Sequence, residues 1–96
     1  MKVSGEFDSL YGSKVQIARV KDGGNGSWAE KEDRQDDSVR LAWYTEKGAF
    51  DPISSAELPL WGLKELVVAA TKQDMFPKAD LAEMIGILTS SLYRQT

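Results

Sequence analysis

The chain contains neither cysteine nor histidine among its 96 residues. Those two absences remove disulfide frameworks, thiol nucleophiles, Ser-His-Asp triads, imidazole acid–base work and zinc sites built from Cys and His. Long apolar runs are missing too. The longest, LVVAAT at 66–71, falls far short of the roughly 20 residues that a membrane-spanning helix needs. The first fourteen residues, MKVSGEFDSLYGSK, hold no apolar core of the signal-peptide kind. A secreted domain of this size normally depends on disulfides, so the expected setting is cytoplasmic, with no membrane partner. Basic charge is scarce: 12 Lys and Arg against 15 Asp and Glu leave a net charge of −3, whereas nucleic-acid binders usually carry a basic face.

What is present describes a small folding chain. Hydrophobic residues make up 42% and charged residues 28%, which lies in the ordinary globular range and predicts one domain over residues 1–96. A core this small is marginal without a covalent or metal staple, so pairing with a second copy is expected to add buried area.

Hydrophobic period divides the chain at Pro59. Before it, the pattern has the period of strands. Lys14–Lys21 sets Val15 and Ile17 against Lys14, Gln16 and Ala18; Val39–Thr45 sets Val39, Leu41 and Trp43 against Arg40, Ala42 and Tyr44. A short first strand falls within Glu6–Tyr11. The turn Glu46-Lys47-Gly48 leads into a returning strand, Ala49–Leu58, which Asp51-Pro52 marks as an edge or a bulge. After Pro59 the period lengthens to that of helices. Leu60, Leu63, Leu66, Val67 and Ala70 form one stripe, expected to pack on the sheet, with Trp61 and Val68 lying off it. A second helix follows, with Asp80 and Glu83 at capping-box spacing and a stripe of Leu81, Met84, Ile85, Leu88 and Leu92. The fold class is therefore α+β: a four-stranded antiparallel sheet over about 6–58, then two C-terminal helices at about 59–73 and 78–94. The segment at about 22–37 reads as a mobile acidic loop.

That loop invites chemical readings, and each has a blander competitor. Asp22–Asp33 has the length of a calcium loop, but Gly24 and Gly26 stand where side-chain oxygens are needed and Ser27 where the central glycine belongs. Asp33, Asp36 and Asp37 are read as solvated carboxylates rather than ligands. Asn25-Gly26-Ser27 is read as a turn rather than a glycosylation acceptor. No catalytic residue, metal or cofactor is expected. Trp43, Tyr44, Phe50 and Trp61 lie close in sequence to Arg40, Lys47 and Lys64, and flat rings beside cations suit stacked bases and phosphates of a single strand. Trp43 and Phe50 also suit the core.

The order strand, turn, strand, proline, tryptophan and amphipathic helix resembles the transcriptional positive-cofactor-four family. VRLAWYTEKGAFDP at 39–52 is similar to that family's strand and turn, and ELPLWGLKELV at 57–67 to its helix start, with a shorter Pro-to-Trp spacing. The resemblance implies a curved four-stranded antiparallel sheet and helix, dimerisation through the helix, and binding of single-stranded DNA. It carries roles onto Arg40 and Tyr44 in the sheet, Lys47 in the turn and Trp61 at the helix start. With Lys14, Arg19 and Lys21 from the preceding strand, these residues form the expected site of a non-enzymatic, homodimeric binder of single-stranded DNA or RNA, acting in transcription or replication. The alternative is a small protein-interaction or regulatory module, favoured by the net charge and by ISSAEL at 53–58, where the family carries lysines.

Overall fold

The computed structural model describes residues 1–27 and 36–96, so part of the acidic loop, Asp33 included, lies outside the described residues. The chain forms two compact units, Met1–Lys64 and Glu65–Thr96. Four strands and two helices follow in order: β1 (Gly5–Asp8), β2 (Lys14–Ala18), β3 (Ser38–Tyr44), β4 (Phe50–Pro59), α1 (Leu60–Lys72) and α2 (Lys78–Gln95). This is the expected α+β arrangement.

The first unit is an antiparallel meander in the order β1-β2-β3-β4. Turn chemistry sets its corners. Between β1 and β2 the chain turns through Tyr11 (φ 58°) and Gly12 (φ 76°), and Gly48 (φ 82°) closes the β3–β4 hairpin. Gly12 and Gly48 suit these left-handed positions because they have no Cβ, whereas Tyr11 adopts one as a non-glycine. β2 ends at Ala18 rather than Lys21. Residues Val20–Asp22 instead form a single 3-10 turn, with the Val20 N–H donating to Asp37 Oδ1 at 2.8 Å. β4 carries the expected irregularity. The register jumps from Leu41↔Ala56 to Trp43↔Asp51, so residues 52–55 bulge out. Asp51 Oδ1 accepts from the N–H groups of Ile53 and Ser54, and Ser55 Oγ donates to the Asp51 carbonyl while accepting from the Trp43 N–H.

Pairing register assigns every side chain to a face. One face carries Phe7, Val15, Ile17, Val39, Leu41, Trp43, Asp51, Ala56 and Leu58; the other carries Glu6, Asp8, Lys14, Gln16, Ala18, Ser38, Arg40, Ala42, Tyr44, Phe50, Glu57 and Pro59. The alternation is as the sequence implies, but burial runs opposite to expectation. Ala18 and Ala42, the two fully buried apolar residues among those described, lie on the polar face, together with buried Gln16 and Ser38. Phe7 and Leu41, on the apolar face, remain 58% and 42% exposed.

Pro59 is the last residue of β4 and not the first of the helix. α1 opens at Leu60, whose N–H donates to the Asp37 carbonyl at 2.8 Å. Gly62 belongs to this entry, since a Cβ there would lie 3.3 Å from the Pro59 ring. The expected stripe is not buried, because no residue of α1 is, and Leu60 and Leu66 are exposed.

The second unit comprises the rest of α1, a short connection and α2. α1 ends with Asp74 in the left-handed region (φ 54°), the Met75 N–H reaching the Ala70 carbonyl and the Asp74 N–H that of Thr71. This is a Schellman closure with Asp in the place glycine usually takes. α2 starts after Pro77, so Asp80 sits inside the first turn and makes no cap. Its carboxylate still complements the positive end of the helix. No residue of α2 is buried, and Ile85, Leu88 and Leu92 are all more than 60% exposed.

Candidate functional site

The polar face of the sheet brings three expected site residues together around one that sequence reasoning passed over. Gln16 is only 5% exposed and uses both ends of its amide. Its Nε2 donates to Glu6 Oε2 at 2.7 Å and to Tyr44 Oη at 3.0 Å, while its Oε1 accepts from Arg40 Nε at 2.9 Å and also from Arg40 Nη2. Arg40 lies over the Phe50 ring, its guanidinium carbon 4.4 Å from the centroid. Phe50 in turn meets Tyr44 edge to face, with centroids 6.1 Å apart and planes at 68°. A cation over an aromatic face and an edge-on ring pair are both favourable contacts. The arrangement is a continuous chain from Glu6 to Phe50 across all four strands.

Lys14 belongs to the same face but points its charge at the protein's own carboxylates. Its Nζ lies 3.2 Å from Asp8 and 3.5 Å from Glu6. The hydrogen bond to Asp8 raises the Lys14 pKa above its ordinary value, and that from Gln16 holds Glu6 below the usual carboxylate range. Lys14 and Arg40 thus share a face with Glu6, Asp8 and Glu57, two cations against three carboxylates.

The remaining expected residues do not join them. Arg19 follows β2 at the end where Ala18 pairs with Ser38, and lies 3.7 Å from Asp22. Lys21 is exposed in the following turn, and Trp61 is 54% exposed in the first turn of α1, beyond the Ser38↔Pro59 pair. Lys47 sits in the exposed β3–β4 hairpin, next to the Tyr44↔Phe50 pair. Lys14, Tyr44 and Lys47 therefore lie toward one end of the sheet and Arg19, Lys21 and Trp61 toward the other, with Arg40 in mid-sheet and its guanidinium over Phe50.

That second end is closed by residues 24–27. Gly24 packs so tightly that a Cβ there would lie 2.5 Å from the Arg19 nitrogen, and a Cβ on Gly26 would strike Ser38 Oγ. Ser27 donates its N–H and hydroxyl to the Glu57 carboxylate, at 2.6 and 3.2 Å.

The apolar face forms an open groove of about 360 Å³, lined chiefly by Val15, Ile17, Val39, Leu41, Leu58 and Leu63. Its lining offers no chemistry beyond burial of apolar surface. Among the described residues no three His, Cys, Asp or Glu side chains gather closely enough to hold a metal ion, and no helix is long and apolar enough to cross a membrane. Comparison with protein-family models, curated proteins and solved structures found no match.

Gln16 was absent from the expected site, and Phe50 entered only as one of the rings lying close in sequence to Arg40 and Lys47. The one available signal was Gln16 itself, an amide at the middle of an inner strand, where both its donors and its acceptor need partners if it is covered.

Proposed function

We propose that this chain is a protein-interaction module that works as a homodimer and catalyses no reaction. The observation that carries this reading is the apolar sheet face, which stays open along a groove lined by Val15, Ile17, Val39, Leu41, Leu58 and Leu63. Contiguous exposed apolar surface of this kind marks protein interfaces. The opposite face supports the reading from the other side, since Lys14 is paired with its own carboxylates, Asp8 and Glu6, and the face carries three carboxylates against two cations. The inventory without His or Cys leaves only carboxylate, Lys and Tyr chemistry for an active site.

Light scattering on the purified chain tests it. Two chains per particle are expected at micromolar concentration, and Leu41→Lys is expected to give one chain per particle with its circular dichroism unchanged. A wild-type mass of 10.6 kDa at hundreds of micromolar would end the dimer reading.

A second reading, weak binding of single-stranded nucleic acid, is favoured by the Tyr44–Phe50 ring pair with Arg40 over it and Lys47 in the adjoining hairpin. The meander followed by a helix is also the order that the family resemblance implies. Arg40 and Lys47 carry no ion pair among the described residues. Two phosphates engaged by them would give a slope of about −1.4 in log K against log salt. Fluorescence anisotropy with labelled oligo-dT, and duplex as control, decides it: Lys47→Ala should halve the slope, and equal affinity for duplex would dismiss the reading.

A further inference from the structure

The Asn25-Gly26 pair is not used by either reading, and the structure places it under unusual restraint. Asn25 is exposed, and its carboxamide makes no hydrogen bond among the described residues. Its backbone, in contrast, is clamped at both ends: its N–H donates to the Lys2 carbonyl at 2.9 Å and its carbonyl accepts from the Lys2 N–H, an isolated antiparallel bridge. The next residue, Gly26, is buried against Ser38, with no room for even a Cβ.

An Asn-Gly pair has a reaction of its own. The Gly backbone nitrogen can attack the Asn side-chain carbonyl carbon, because no Cβ on the second residue obstructs the approach. We propose that Asn25 is a self-modification site whose reaction the fold holds in check. In the step, a bond forms between the Gly26 nitrogen and Asn25 Cγ, the Cγ–Nδ2 bond breaks, and the Gly26 amide proton leaves with the amine as ammonia. Water then opens the five-membered imide, giving aspartate or isoaspartate at position 25. No oxidant or reductant is involved.

The attack requires the backbone at 25–26 to swing out of its extended, bridged geometry. Both the Lys2 bridge and the packing of Gly26 on Ser38 oppose that swing. Reaction therefore proceeds through local opening of this corner, the class of motion that costs less than global unfolding. The product has structural consequences. Isoaspartate inserts one extra carbon into the main chain immediately before Gly26, where there is no spare room, and either product adds a negative charge two residues before Ser27, which donates to the Glu57 carboxylate.

The test follows the mass of the peptide containing residue 25 during incubation at mildly alkaline pH, for folded protein and for protein held in concentrated urea. The folded chain is expected to gain the one-dalton increment about tenfold more slowly, the factor that an opening free energy of about 1.4 kcal/mol gives. Lys2→Pro, which removes the bridging N–H donor, should bring the folded rate toward that in urea, and Asn25→Gln should abolish the early increment in both. Equal rates folded and unfolded, an unchanged rate in Lys2→Pro, or no increment in urea would each overturn the proposal.

Discussion

Gln16 shows how one neutral side chain can organise a charged surface. Its amide separates Arg40 from Glu6, giving each a hydrogen bond and leaving the guanidinium free to lie on Phe50. Replacing it with Ala leaves a half-buried guanidinium and a phenol without their partner, so Gln16→Ala is expected to lower stability by about 1–3 kcal/mol in urea unfolding. The acid side of the pH profile should respond to the same residue. Glu6 titrates below its ordinary 4.5, chiefly through Gln16, and Asp51 below 3.8, chiefly through Ser54. A carboxyl depressed in the folded state adds stability above its unfolded value and loses it as the pH falls through the folded one. Melting temperature should therefore fall as the pH drops below about 4.5, and less steeply in Glu6→Gln. Lys14 has the opposite sign: raised above 10.5, mainly by its hydrogen bond to Asp8, it supports the fold below that pH and ceases to do so as the pH rises through its folded value.

At the scale of elements, two glycines are justified by close neighbours and a third is not. Gly26 is required by the close approach of Ser38, and Gly62 makes room for the Pro59 ring. Gly86, in the middle of α2, has nothing within 4 Å of where a Cβ would stand. Glycine in a helix interior costs up to about 1 kcal/mol relative to Ala. Gly86→Ala is thus expected to raise the thermal midpoint of α2 unfolding, followed by circular dichroism, whereas Gly26→Ala should lower overall stability. A loss of stability in Gly86→Ala would place another chain's backbone against that position. Pro52 and Pro59 work at the edge of the sheet in a different way. Neither can donate a backbone hydrogen bond, and with the bulge at 52–55 they leave β4 a poor template for adding a further strand.

For the whole molecule, the decisive property is how little apolar surface each unit hides by itself. The sheet buries two alanines fully, and neither helix buries any residue. Under the proposed homodimer, association with a second copy would couple folding to concentration by mass action. The thermal midpoint is therefore expected to rise with protein concentration, by an amount that Leu41→Lys abolishes. A midpoint constant over a hundredfold range of concentration would count against the homodimer.

Much of the architecture was legible in the residues because it depends on local physics. Alternation from Val39 to Tyr44 specifies a strand, Gly48 supplies the left-handed turn, and the change of period after Pro59 starts the helices, each within a few residues of chain. The candidate site was legible only in part. Alternation assigned Lys14, Arg40 and Tyr44 to a common face, yet it could not reveal that Arg19, Lys21 and Trp61 lie at the opposite end, because that follows from pairing register. Nor does alternation say which of two faces is covered. Ala18 and Ser38 are small enough to let Gly24 and Gly26 close over them, and with Ala42 and Gln16 they make the polar face the more buried one. Contacts between residues far apart in the chain made that choice, and only the tertiary structure contains them.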